Sequence, residues 1–334
     1  MKRASRSSRI WFSRLGLTAV GFAAGMVLVE CSLRPTRWSA REFYSSRGWL
    51  NPAYPQVVGQ IQKNWAADFR KNSLSLRGAE PVHPSVIALG DSCTAGCFVR
   101  ERETYAGLLQ SRNVEVVNAG VPGYSSFQGL AWVRDSRVMD YRPKLVTIYY
   151  GWNDHWRAAF PESVFYRLRL AAPYSHLASW VLFKYEGSLN LNEKRFHYFP
   201  RVSLREYRSN LRELVRRARA VGAVVVLITA PIEPRMLPKP PDGRPRAPRG
   251  RFPDFMDHDA YVRATREVAA ETGAGLVDFA AEYELRKTVN RDEFFEDFVH
   301  PNAKGHAVLA GMLRPWVECS QAHACPPHSS RAKK

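Results

Sequence analysis

The chain is poor in cysteine: five among 334 residues. Cys31, Cys93, Cys97, Cys319 and Cys325 are too few for a disulfide-built scaffold, and none of their spacings is that of a zinc site. Cys319 and Cys325 bracket a short loop; a bridge in an oxidising compartment and two free thiols both remain open. No internal repeat is visible. Zinc-finger spacing, RNA-binding aromatic signatures and a basic zipper are also lacking, so the net charge of +18 is not by itself a nucleic-acid signal. No metal or organic cofactor is implied. Acidic residues are outnumbered, 31 against 49 Lys and Arg. The excess is local: Lys2, Arg3, Arg6 and Arg9; then Arg212, Arg216, Arg217 and Arg219; then Arg235 to Arg251; then Arg331, Lys333 and Lys334. Solvated faces and topology signals explain such clusters more simply than a polyanion partner.

Long, almost wholly apolar runs without charge are also scarce, and one opens the chain. Leu15 to Val29 reads LGLTAVGFAAGMVLV. With its flanks it predicts a membrane-spanning anchor over residues 10–33, behind a basic cytoplasmic head at 1–9. The positive head would hold the N-terminus inside, leaving everything after residue 33 on the periplasmic side of a bacterial inner membrane. A cleaved signal peptide is the competing reading, but no persuasive small-x-small site follows the run. Glu30 before Cys31 argues against lipidation.

Residues 34–80 read as a juxtamembrane segment, 81–318 as the main domain and 319–334 as a basic tail. Within the main domain, short apolar runs alternate with helical patterns. SVIAL (85–89), VEVVN (114–118), LVTIYY (145–150), AVVVLIT (223–229) and GLVD (275–278) are strand candidates. Runs buried on both faces indicate a parallel sheet. Helices are predicted over Ser203–Ala220, with Ser203 as N-cap and Glu206 three residues on, over His258–Thr272, and over Ala303–Leu313. The fold expected is α/β: a doubly wound three-layer αβα sandwich with a mostly parallel five-stranded sheet. An aromatic- and Arg-rich insertion, 155–200, follows the third strand directly; it is either a lid or substrate wall, or a peripheral hairpin.

The chemistry-bearing residues fall at the ends of these elements. Gly90-Asp91-Ser92 follows the first strand, so the serine hydroxyl sits at the sheet rim and its own N–H at a helix start. Asn118-Ala119-Gly120-Val121-Pro122-Gly123 follows the second, and Gly151-Trp152-Asn153-Asp154 the third. Asp297-Phe298-Val299-His300-Pro301-Asn302 precedes the last helix, and Pro301 suits that helix's first turn. Each segment alone is weak. G-D-S is a common helix-capping turn, and D-x-x-H is most often a surface ion pair.

In this order, LGDSCTAG, VVNAGVPGYSS, YGWND and DFVHPN resemble the blocks of the SGNH (GDSL-type) hydrolase family, across roughly residues 81–316. NSLSLRG and the anchor resemble a membrane-tethered bacterial branch of it. The resemblance implies Ser92 as nucleophile, His300 as base and Asp297 as its orienting acid. It implies an oxyanion hole of the Ser92 N–H, the Gly123 N–H and the Asn153 side chain. Cys93, beside the serine, departs from the expected bulkier or hydroxylic residue. The activity implied is hydrolysis of O-acyl esters, on envelope or exported polysaccharide or on lipid. Acyl transfer by the same triad and a non-catalytic binding protein on this fold are the alternatives.

Overall fold

The computed structural model describes residues 6–33, 70–158, 161–171, 174–178, 180, 199–233, 255–286, 293–322 and 324–325. The basic stretch 235–251 and the tail 331–334 lie outside them. The chain divides into two units: residues 1–49 with 164–190, and residues 50–163 with 191–334. In the first unit, α1 (Arg6–Leu33) is one helix of 28 residues. Near its end, the Glu30 carboxylate accepts hydrogen bonds from Ser175 Oγ at 2.9 Å and Leu177 N at 3.0 Å.

The second unit holds the sheet. β1 (Val86–Gly90) is followed by α2 (Ser92–Ala95) and α3 (Tyr105–Leu109). β2 (Val116–Gly120), α4 (Ser126–Asp135) and β3 (Leu145–Tyr149) come next. After the two-residue β4 (Arg157–Ala158), α5 (Glu162–Ala171) crosses between the units, and β5 (Phe199–Pro200) returns to pair antiparallel with β4. The rest is α6 (Leu204–Ala220), β6 (Val224–Ile228), α7 (Phe255–Thr272), β7 (Gly275–Val277), α8 (Phe279–Arg286) and α9 (Ala303–Gln321).

Five strands pair in the order β2-β1-β3-β6-β7, every pair parallel. Alternation along each strand explains the three layers. Ile87, Leu89, Val146, Ile148, Val225 and Leu227 pack on one face with α4, α6 and α7. Val86, Ala88, Leu145, Tyr149, Val226 and Ile228 pack on the other with α3 and α9. The sheet is therefore doubly wound. The chain leaves β1 for β2 on one side and returns to β3 on the other, so the switch point lies between β1 and β3. Ligands in such sheets bind beyond the carboxyl ends of the strands at that point. Ser92 and Asn153 follow those two strands.

The strands and the helix over 204–220 fall where the apolar runs put them, and Ser203 and Glu206 form the expected capping box. Three expectations change. The last helix runs on to Gln321 with Pro315 inside it, because Leu309, Leu313 and Val317 continue one buried stripe. Pro301 is not in that helix's first turn: Asn302 caps it through Lys304 N and Gly305 N, and Pro301 bridges Phe295 instead. The spanning helix expected over 10–33 is helical, but among the described residues no helix is long and apolar enough to cross a membrane. Its charge-free core, Leu15 to Val29, would extend only about 22 Å at ~1.5 Å per residue, against a hydrocarbon core of about 30 Å.

Most arginines of α6 are engaged by carboxylates or carbonyls. Arg212 pairs with Glu271 of α7, Arg216 and Arg217 with Glu213, and Arg219 donates to the carbonyls of Thr272 and Gly273.

Candidate active site

Ser92 opens α2, whose first turn is fixed by Asp91. The Asp91 carboxylate accepts the Cys93 N–H at 2.9 Å, and Gly96 ends the helix with a left-handed φ of 64°. Behind the helix, Asn118 donates to the Thr94 carbonyl at 3.0 Å, and a Cβ at Gly120 would run into the backbone of Ala95. Arg77 reaches in from the segment before β1. Its guanidinium donates to the carbonyls of Ala95, Gly96 and Val99 at 2.8, 2.5 and 2.8 Å, holding the end of α2 from beneath.

The second strand feeds a tight turn. Tyr124 N donates to the Val121 carbonyl at 3.0 Å, Pro122 sits at the first corner and Gly123 at the second with φ 83°. That is type II geometry, which favours Pro and then Gly. The turn's own hydrogen bond leaves the Gly123 N–H unused. After β3, Asn153 is buried. Its Nδ2 donates to the Tyr124 carbonyl at 3.0 Å and faces Asp91 Oδ2 at 3.4 Å.

The segment before α9 brings the remaining pair. Asp297 Oδ1 accepts the N–H groups of Val299 and His300 at 2.7 and 2.8 Å. Asp297 Oδ2 lies 2.7 Å from His300 Nδ1, and His300 Nε2 lies 2.9 Å from Ser92 Oγ. With the carboxylate taking the Nδ1–H, Nε2 is left as the acceptor for the serine O–H. Phe98 meets the imidazole edge-on at 4.9 Å. Burial pushes the Asp297 carboxyl up, but its hydrogen bond to His300 and the His300 charge outweigh it, and the net shift is downward. Asp297 thus stays ionised beside the ring. Ser92, Asp297 and His300 come together; Gly123 and Asn153 flank the same strand ends.

Around the triad, Asp91 and Asp154 have settings that the sequence did not assign, and Cys93 and Cys97, read from the sequence as packing residues, are buried as well. Asp91 is buried and, chiefly by that burial, raised to about 6. Cys93 is a packing residue. Its Sγ lies 3.5 Å from the Val299 carbonyl, linking α2 to the His300 segment. Burial, then the nearby Asp91 charge, pushes its thiol far up. Cys97 is pushed up to about 12 by burial. Asp154, beside Asn153, is raised to about 7 by burial against the opposing Ser126 hydrogen bonds. No sequence signal marks these as a set, since each acts through a neighbour brought close by folding. Among the described residues, no group of His, Cys, Asp and Glu could hold a metal ion. A cavity of about 560 Å³ between Asn72–Pro81 and Arg100–Gln110 is lined by none of Ser92, Asp297 or His300.

The model of the GDSL-like Lipase/Acylhydrolase family matches residues 88–308, more than half of the chain. An acetylxylan esterase of Geobacillus stearothermophilus is 28% identical over 209 residues, covering 61% of this chain and 74% of that protein. A lipase/acylhydrolase structure from Enterococcus faecalis is similar at 19% identity and TM-score 0.46, covering 74% of this chain and 100% of that one. An acetylxylan esterase structure from Geobacillus stearothermophilus is similar at 22% identity and TM-score 0.44, covering 74% and 96%. From the family match, the chain belongs to the GDSL-like lipase/acylhydrolase family and is a carboxylic ester hydrolase.

Proposed function

We propose that Ser92, His300 and Asp297 are a catalytic triad that hydrolyses O-acyl esters through an acyl-enzyme. The observation that carries this reading is the unbroken chain of contacts, 2.9 Å from Ser92 Oγ to His300 Nε2 and 2.7 Å from His300 Nδ1 to Asp297. A serine hydroxyl is a poor nucleophile near neutral pH and needs such a base. Ser92 Oγ attacks the ester carbonyl carbon while its proton passes to His300 Nε2. Asp297 holds the ring and stabilises the imidazolium. The tetrahedral oxyanion is met by the Ser92 N–H, the Gly123 N–H and Asn153 Nδ2. One Asn153 hydrogen is held by Tyr124; the contact to Asp91 is long at 3.4 Å, so the developing oxyanion competes readily for that donor. The C–O bond then breaks, and His300 returns the proton to the leaving alcohol. Water repeats the sequence on the acyl-enzyme and releases the acid.

The substrate class we favour is an acylated polysaccharide, supported by the curated relative being an acetylxylan esterase. Activity against acetylated sugars and aryl esters of graded acyl length, with Ser92→Ala as control, tests both parts. Short acyl groups on sugars should be preferred, and the alanine variant should lose turnover by orders of magnitude. A preference for long-chain esters would exclude the polysaccharide. Ser92→Ala at wild-type turnover would exclude the triad.

The finer reading of location is an extracytoplasmic enzyme held at a membrane by α1. Its support is the basic head before α1, the exposed Leu17, Val20, Phe22, Val27 and Leu28, and the Cys319–Cys325 disulfide, which belongs to oxidising compartments.

A further inference from the structure

The Gly123 turn is cross-braced from outside the sequence blocks by Arg201, Glu162 and Gln128, the last two of which meet Ser125 near the end of the second block. Arg201 Nη2 donates to the Gly123 carbonyl at 2.9 Å and to Gln128 Oε1 at 2.8 Å. Its Nε donates to Glu162 Oε1 at 2.7 Å. The other Glu162 oxygen accepts the Ser125 hydroxyl, and Gln128 Oε1 also accepts the Ser125 N–H at 3.3 Å. The four side chains of Ser125, Gln128, Glu162 and Arg201 therefore close a network around the chain between Gly123 and the start of α4. Glu162 is buried, and the Arg201 side chain is only 20% exposed.

Arg201 is itself fixed through its backbone. Its N–H donates to the Trp156 carbonyl at 2.8 Å, and its carbonyl accepts the Glu162 N–H at 2.8 Å. The next residue, Val202, donates to the Asp154 carbonyl at 2.9 Å. With the β4–β5 pair, these bonds tie the two ends of the insertion together. They also place the guanidinium fork, which has a rigid plane and several donors, where it meets a backbone carbonyl, an amide oxygen and a carboxylate at once.

We propose that Arg201, held by Glu162, is a positioning residue for the oxyanion hole: by fixing the Gly123–Tyr124 peptide it limits rotation about Gly123 and so keeps the Gly123 N–H, in the preceding peptide, facing the reacting carbonyl. The inference rests on the reading of Gly123 as an oxyanion donor. A glycine at φ 83° has no side chain to limit rotation, and the turn's hydrogen bond from Tyr124 N to the Val121 carbonyl holds the Gly123–Tyr124 peptide on its N–H side. Arg201 holds the carbonyl side of that same planar peptide from outside the turn. Its effect belongs to the transition state, because the donor matters most when the carbonyl oxygen carries charge.

The test uses the full chain and an aryl acetate, with phenylboronate as a ligand that becomes a tetrahedral anion on serine. Arg201→Lys keeps a charge against Glu162 but cannot reach all three acceptors. The pair Arg201→Gln with Glu162→Gln removes the fork without leaving a buried unpaired carboxylate. Per folded site, as judged by thermal melting, each variant should lose about ten- to hundredfold in kcat. KM should change little, and phenylboronate inhibition should weaken in parallel with kcat. If the double variant does not fold, Arg201→Lys decides alone. Asn153→Ala is measured alongside. Unchanged kcat per folded site in the Arg201 variants, with a clear loss in Asn153→Ala, overturns the proposal and leaves the oxyanion hole standing. Unchanged kcat in all of them, Asn153→Ala included, overturns the oxyanion reading on which it rests.

Discussion

Asn153 carries the sharpest expectation among single residues. Its Nδ2 is oriented by the Tyr124 carbonyl and only loosely engaged by Asp91. Removing one such donor typically costs about 2.7–4 kcal/mol of transition-state stabilisation. Asn153→Ala should therefore lower kcat by roughly a hundred- to thousandfold with little change in KM. If the residue only braces its loop, the alanine variant would melt earlier while its folded fraction kept a near-normal kcat, so melting temperature and kcat on one preparation separate the two. Asp297→Asn should lose as much as His300→Ala or less, since the carboxylate orients the imidazole rather than reacting. The cysteines near Ser92 make the opposite expectation. Cys93 and Cys97 are buried and their thiols are raised, whereas Cys31 is exposed. Iodoacetamide on the native chain should modify Cys31 and spare Cys93 and Cys97 until denaturant is added, read by peptide mass. Rapid native labelling of Cys93 would contradict the inert packing role.

At the scale of elements, the residues that form the sheet explain why the site is where it is. β1 and β3 are continuous buried runs, so Ser92 and Asn153 are delivered to one edge by backbone geometry alone. This part was legible in the sequence, because periodicity and the capping pair Ser203–Glu206 report local preferences. So was the D-x-x-H spacing, since Asp297 and His300 meet within one short turn. What was illegible depends on distant partners. The last helix was expected to stop at Leu313, yet the stripe Leu309, Leu313, Val317 carries it through Pro315 to Gln321. Arg77 stood only within the NSLSLRG likeness and Arg201 carried no sequence signal; folding shows Arg77 on α2 and Arg201 on the Gly123 turn. Likewise the arginines of α6 read as a charged face, and their partners Glu267 and Glu271 lie on another helix. Each such exposed pair contributes about 0–1 kcal/mol; α6 is held mainly by its buried stripe. Leu214, fully buried on it, should cost about 2–5 kcal/mol when cut to alanine. The melting temperature should fall while kcat of the folded fraction stays unchanged; a stable Leu214→Ala variant would mean that α6 is not packed as described.

For the whole molecule, Asp154 is one source of pH dependence. Its folded-state carboxyl is raised to about 7, so between the ordinary value of 3.8 and about 7 the folded chain holds a proton that the unfolded chain has released. Stability from this group therefore rises as pH falls through 7. Glu213 opposes this at lower pH: its hydrogen bond to Arg216 lowers it to about 2, and the stability it contributes is lost as pH falls from about 4.5 toward 2. His258 and His306, lowered by burial to about 4 and about 3, also oppose Asp154 as pH falls below 6.5. Against the wild type, Asp154→Asn should therefore shift the melting difference between about pH 5 and about pH 8 in favour of pH 8; an unchanged difference would remove Asp154 as a source of it. The location proposal is tested by fractionation. The full chain should stay with membranes through carbonate extraction, and residues 34–334 should be soluble and active. A full chain released by carbonate would argue against an anchor.

The central claim, that Ser92 is the nucleophile of this ester hydrolase, is tested most directly by fluorophosphonate labelling of the folded protein with mass mapping of the adduct. A serine hydroxyl within 2.9 Å of His300 Nε2 should react once per chain. The adduct should lie on Ser92, appear in step with loss of esterase activity, and vanish in Ser92→Ala. An adduct on any other residue, or Ser92→Ala that hydrolyses esters at the wild-type rate, would contradict the account.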